Sequence, residues 1–265
     1  MTATLPSFVH FGLVEADLLA THAGGSWPFP LRVPSYGRID GEREILFGVA
    51  GQALQARDLA DDAGPAGLAV EVAIALRECR GVVDVVHSGE NGRTAVAALI
   101  YRQSALICRQ RLDEGEPGTL EVRQVPETTL VEALVAEIPQ LEAARTLPIT
   151  VPAAAVDAAM QLTENDEDDA SRVRRLRDLV HDHGGDSAAL DQLVGLLLPV
   201  SGHGQLGATR DGRTRTGPAL SWLDGPRGRV RVNRPGDGWL SVNPLRPAEL
   251  RFALGELATI TRRPR

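Results

Sequence analysis

Lysine is absent from this sequence: its 28 basic side chains are all arginines, set against 35 acidic ones. The missing lysine reads as the codon bias of a GC-rich genome. The net charge of −7 argues against a nucleic-acid-binding protein, which usually carries a basic face. Only two cysteines occur, Cys79 and Cys108, and neither sits in a C-x-x-C pair, so no structural-zinc or redox motif is spelled out. Two thiols in a chain of this size fit a reducing compartment. Long apolar runs are missing as well, and none approaches the ~20 residues that span a bilayer. The start, MTATLPSFVHFGLVEADLL, has neither the basic nor the apolar segment of a signal peptide. A soluble, cytoplasmic protein is expected. No G-x-S-x-G elbow or other nucleophile signature occurs, which lowers the case for an enzyme.

What is present is a faint internal duplication. Asn91-Gly92-Arg93-Thr94 returns as Asp211-Gly212-Arg213-Thr214, an offset of 120 (212 − 92). At that offset Arg109-Gln110-Arg111-Leu112 faces Arg229-Val230-Arg231-Val232, while Gly118, Leu120 and Val122 face Gly238, Leu240 and Val242. Leu130 and Leu134 then face Leu250 and Leu254. A turn, strand stretches and a helix repeated in one order predict a supersecondary unit used twice.

The local patterns agree. Helical spacing is predicted over residues 15–23, 42–59 and 68–80, separated by a Pro/Gly-rich connection over 27–41. A meander of strands follows through 82–86, 95–101, 104–112 and 120–125, its first turn at Asn91-Gly92 predicted to be type I′. Thr129 and Glu132 have the spacing of a capping box for the next helix. Two amphipathic helices, 171–181 and 187–198, form a helical hairpin across Gly184-Gly185, with Asp186 placed to cap the second. A second meander runs from about 203 to 242, and a last helix begins at Pro247, with Glu249 in its first turn. The order predicts an α+β fold with a pseudo-twofold internal duplication, in which a central antiparallel sheet is flanked by two helical bundles. One domain over 1–265 is expected, with half-repeats at about 75–140 and 195–260 and an acidic surface loop at about 164–169.

Several clusters invite chemistry. Gly202-His203-Gly204-Gln205-Leu206-Gly207 matches G-x-G-x-x-G, but a helix precedes it and strand-like sequence follows, the reverse of a phosphate-binding turn. Its glycines are expected to ease the start of a strand. His181, His183 and His203 suggest a metal-dependent hydrolase, aided by nearby acids, as the alternative function. Against it, i and i+2 positions on a helix point apart, and Gly184 reads as a helix terminator. The acidic run 164–169 lacks the spacing and central glycine of a calcium loop. The pairs Arg109/Arg111 and Arg229/Arg231 each line one side of a strand, with Val230 and Val232 on the other. Such a face is either solvated or a basic platform for an acidic or amphipathic partner. Trp222 and Trp239 would add contact area there, or belong to the core.

The C-terminal stretch carries a resemblance. Gly202 to Gly207, the Arg-rich turn through Arg215, Leu220-Ser221-Trp222-Leu223-Asp224, Gly228-Arg229 and Gly238-Trp239 resemble the EspG family, the ESX (type VII) secretion-associated chaperones. Gly92-Arg93 and the 120–134 segment resemble that family's first half, so the likeness spans roughly 75–260. It implies a cytoplasmic, non-enzymatic protein without cofactor that binds PPE proteins as PE–PPE heterodimers and keeps them soluble until export. It also implies docking of a helical PPE tip on the central sheet and the C-terminal bundle. The family has no catalytic residue to transfer. Candidate partner-binding residues are therefore Leu206, Arg213, Arg215, Trp222, Arg229, Arg231 and Trp239. No membrane insertion is expected, and the oligomeric state is expected to be a monomer, with a dimer as the alternative. A regulatory scaffold sharing only the fold is a third reading.

Overall fold

The computed structural model describes residues 7–37, 39, 41–112, 118–154, 169–210, 214–236 and 238–262. In chain order the elements are β1 (Val9–Phe11), α1 (Leu13–Ala23), α2 (Glu42–Gln55), β2 (Ala60–Asp61), β3 (Gly64–Pro65) and α3 (Gly67–Glu78). The first meander follows as β4 (Gly81–Gly89), β5 (Gly92–Tyr101), β6 (Ser104–Arg111) and β7 (Leu120–Pro126), then α4 (Leu130–Val135). The chain continues with β8 (Ile149–Pro152), α5 (Asp169–Asp182) and α6 (Ser187–Leu197). A second meander of β9 (Gly202–Arg210), β10 (Thr214–Gly225), β11 (Gly228–Asn233) and β12 (Trp239–Pro244) leads into α7 (Pro247–Arg262). Ten of these strands belong to a large antiparallel sheet, so the fold is α+β, and β2 and β3 form a separate ribbon.

Two compact units divide the chain. The first comprises residues 1–139, 205–219 and 251–265, and the second residues 140–204 and 220–250. In the first, the strand order runs β1-β7-β6-β5-β4. Alternate residues Ala95, Ala97, Leu99 and Tyr101 of β5 join Leu106 and Cys108 of β6 on one face, where Leu19, Leu54 and Val72 from α1, α2 and α3 cover them. That apolar seam is the first helical bundle on its sheet. The Gln110 amide ties the Pro/Gly-rich connection down, accepting from the Arg32 N–H at 2.7 Å and donating to the Arg32 carbonyl at 2.9 Å.

In the second unit the order β10-β11-β12-β8 repeats the device. Each half takes a short strand from upstream of its meander and adds it to the meander's last strand: β1 pairs β7, and β8 pairs β12. Neither edge strand is marked in the sequence. Three or four residues beside prolines or a helix start carry too little alternation to register.

The register corrects the repeat alignment. Tyr101 pairs Ser104 across one turn and Gly225 pairs Gly228 across the other, so these hairpins lie 124 residues apart (225 − 101), not 120. With Leu120 still matched to Leu240, the stretch from the turn to the matched leucine is four residues shorter in the second half (124 − 120). Arg229 and Arg231 therefore match Ala105 and Ile107, and not the Arg109/Arg111 pair. Both matched residues of the first half are fully buried. The arginines of β11 belong to the second half alone.

Local chemistry departs from expectation at two further points. Among the described residues Gly92 takes a positive φ of 89° while Asn91 does not, so the Asn91-Gly92 turn is not type I′. A left-handed glycine closing the turn is the arrangement of a hairpin with a glycine bulge. The Thr129/Glu132 capping box does not form either: the Thr129 hydroxyl donates to the Pro126 carbonyl at 3.0 Å, and Glu132 pairs Arg251. A 3-10 turn over Glu127–Thr129 leads into α4 instead, and that turn removes the extended N-cap geometry a box requires.

The helical hairpin of the second unit is as expected. Gly184, at φ 77°, ends α5, and the Asp186 carboxylate accepts from the Ala188 N–H at 2.9 Å to start α6. We expect Asp186→Ala to cost about 1 kcal/mol, because an orphan N–H at the helix start then loses its acceptor. Chemical denaturation of the purified variant measures it, and an unchanged midpoint would dismiss the cap.

Candidate functional site

The second unit's sheet has two unlike faces. Val230, Leu240, Val242, Ile149 and Val151 point to one side, where they pack with Leu196 and Leu197 at the end of α6. The opposite side is read from the pairings. Trp222 faces Arg231, which faces Asn243; Asn233 faces Ser241, which faces Thr150; Trp239 faces Pro152. The row behind them pairs Asp224 with Arg229. This face changes character along the strands.

Its inner end is closed. Trp222 is 1% exposed, and a Cβ built on Gly204 would come within 2.1 Å of the Trp222 ring, so only glycine leaves room for the indole. The Arg229 guanidinium forms a two-pronged ion pair with Asp224, at 2.6 and 2.8 Å, and lies 5.2 Å from the Trp222 ring centroid. The Arg229 backbone holds the incoming loop, its N–H donating to the Glu142 carbonyl and its carbonyl accepting from Ala144 and Leu245. Gly228, at φ 118°, lets that loop approach, since a Cβ there would sit 2.7 Å from the Glu142 carbonyl oxygen.

The outer end is open. Arg231, Asn233, Ser241 and Asn243 are half-buried, while Thr150 and Trp239 are exposed. The Arg231 Nε donates to the Asn233 side-chain oxygen at 2.7 Å, and the Asn243 amide donates to the Ser241 hydroxyl at 2.8 Å. From Asn243, beside Arg231, to Trp239 is four residues along β12, roughly 13 Å, close to the diameter of one helix with its side chains. A guanidinium, a row of amides and hydroxyls, and an indole thus line a strip wide enough for one helical tip. Arginine and tryptophan are the side chains that most often anchor protein interfaces.

The candidate residues divide accordingly. Arg231 and Trp239 lie on the open strip. Leu206, Trp222 and Arg229 are buried, at 0%, 1% and 3% exposure, and Trp222 and Arg229 act as framework for the strip. Arg215 lies in β10, and Arg213 lies outside the described residues, as does the acidic run up to Asp168. Asn233, Ser241, Asn243 and Thr150 were not singled out from sequence. The alternation Leu240-Ser241-Val242-Asn243 carries a signal for two of them, a strand with one wet face.

The histidine alternative gains nothing. Among the described residues no three His, Cys, Asp or Glu side chains gather to hold a metal ion. His181, His183 and His203 are all exposed, and the His183 Nδ1 lies 2.8 Å from the Leu179 carbonyl of its own helix. The G-x-G-x-x-G match lies in β9 with no helix after it, so it makes no phosphate cradle.

By class, this is an internally duplicated α+β protein on a large antiparallel sheet that keeps part of one sheet face open. The sequence matches the EspG family model over residues 13–256, and the chain belongs to the EspG family. Its fold is similar to that of the Mycobacterium tuberculosis type VII secretion system chaperone EspG5, solved in complex with a PE25–PPE41 dimer. That likeness has a TM-score of 0.63 and 14% identity and covers 95% of each chain. No curated protein matches the sequence. No helix among the described residues is long and apolar enough to cross a membrane.

Proposed function

We propose that this protein is a cytoplasmic, non-enzymatic chaperone of a type VII secretion system, binding PPE-type substrates as PE–PPE heterodimers and keeping them soluble before export. The observation that carries the reading is family membership joined to the fold of a chaperone solved with its PE–PPE cargo. The open strip of the second unit supplies the place. An exposed apolar helix tip is an aggregation hazard, and a chaperone that covers the tip removes it without turnover or cofactor. Release requires an interface of ordinary size, roughly 1,600 Å² in total, with a few anchors inside a polar rim. Arg231 and Trp239 are the proposed contacts, with Arg213 and Arg215 as further candidates. Trp222 and Arg229 hold the surface from within.

Co-expression with the PE–PPE pair encoded nearest to its gene, followed by size-exclusion chromatography, tests this. A co-eluting ternary complex is expected, with the free protein eluting as a monomer. Trp239→Ala is expected to weaken capture about tenfold, the loss of one aromatic anchor, while the thermal melt stays within about 2 °C of the parent. Separate elution of the parent protein from every such pair would defeat the reading.

A further inference from the structure

Several arginines that leave bulk water are matched with acids. Arg123 and Arg109 meet Glu137, Arg229 meets Asp224, and Arg43 meets Asp17. Arg231 is half-buried too, yet among the described residues no carboxylate lies within ion-pair distance of it. Its single described polar contact is the bond from Nε to Asn233, which orients the guanidinium and leaves both terminal nitrogens undedicated. On its face Trp222, Asn243, Ser241 and Thr150 carry no charge, and Asp224, in the next row, is engaged by the two-pronged pair with Arg229. At the matched position of the first half stands the fully buried Ile107. A cation held part-way out of water with no counterion within ion-pair distance among the described residues carries a desolvation cost that no local partner offsets.

We propose that Arg231 is a specificity-determining contact that receives a carboxylate, an Asp or Glu side chain on the docking tip of the PPE partner, in a two-pronged ion pair. This rests on the chaperone reading above. The fork geometry of guanidinium and carboxylate makes the contact directional, and Asn233 pre-orients it, so a partner offering an amide or a cation at that point is rejected. Trp239, further along the same strip, gives the rest of the tip an apolar wall.

Titration of each variant with the purified PE–PPE heterodimer by calorimetry decides the matter. Arg231→Ala is expected to weaken binding about tenfold or more, and Arg231→Glu about a hundredfold, with Arg231→Lys between parent and alanine because it keeps charge without the fork. Added salt should weaken the parent more than Arg231→Ala. Arg227→Ala, an equal loss of charge in the exposed β10–β11 turn, should bind as the parent does. Reversal of the matching acid on the PPE tip to arginine should restore binding to Arg231→Glu. Parent-like binding by both Arg231→Ala and Arg231→Glu overturns the assignment while the chaperone reading stands. A melt lowered by more than about 5 °C in Arg231→Ala makes the residue structural and overturns it as well. If the parent binds no PE–PPE pair at all, the chaperone reading falls and the assignment with it.

Discussion

Replacing Gly204 with alanine should lower the melting temperature by about 5–10 °C, as expected for a loss of some 3 kcal/mol in a chain of this length. The new Cβ would lie 2.1 Å from Trp222 Cζ2, 2.5 Å from Cη2 and 2.6 Å from Cε2, so three ring atoms must retreat together. The indole has little freedom to do so, being 1% exposed with the Arg229 guanidinium beside it. The clash should disappear when the ring does. In a double-mutant cycle with Trp222→Leu, the cost of Gly204→Ala should shrink by most of its value, because the two positions share one volume. Additive costs would show that indole and glycine are not packed as described. The same result bears on the G-x-G-x-x-G match, in which at least Gly204 is required for packing inside a strand.

Arg229→Ala should be the most damaging single change at a charged residue, costing about 3–5 kcal/mol, since truncating one member of a buried ion pair strands the other. Asp224 would keep its carboxylate with its two-pronged partner gone, and its side chain is only 12% exposed. Arg229→Lys should recover part of the loss, limited by the single-point geometry of an ammonium. The pair Arg229→Met with Asp224→Leu should lie far closer to the parent, because removing both charges also removes their desolvation. Denaturant unfolding of the three variants orders them. Should the alanine variant unfold at the parent midpoint, the pair does not hold the strands as described.

Both predictions concern residues that look, in sequence, like surface anchors. Arg229 and Arg231 are two positions apart and share a face, as the alternation of a strand requires, and Val230 and Val232 turn to the helices as expected. What separates Arg229 from Arg231 is the loop through Glu142–Ala144, which binds the backbone of the first and leaves the second open. That loop comes from some 85 residues upstream (229 − 144), beyond the reach of any local pattern. Trp222 and Trp239 part in the same way, one sealed over Gly204 and the other at the rim.

The turn chemistry shows the same limit at short range. Asn91-Gly92 did mark a hairpin, but the left-handed residue is the glycine that follows the turn, so the same dipeptide served a different hairpin type. Thr129 and Glu132 have the right spacing for a box, and an adjacent 3-10 turn with a cross-chain arginine outcompetes it.

By itself the sequence determined the parts list: two meanders with a helix after each, a helical hairpin before the second, the α+β class, and the motifs that resemble the EspG family. Hydrophobic period, glycine and proline placement, and capping residues act within a few residues, so they can be read in a line. Only the tertiary structure decided the register of the second hairpin, the two edge strands, and which of several similar arginines and tryptophans met solvent. Those outcomes depend on which distant segment reaches a given strand first, and burial is a property of that meeting.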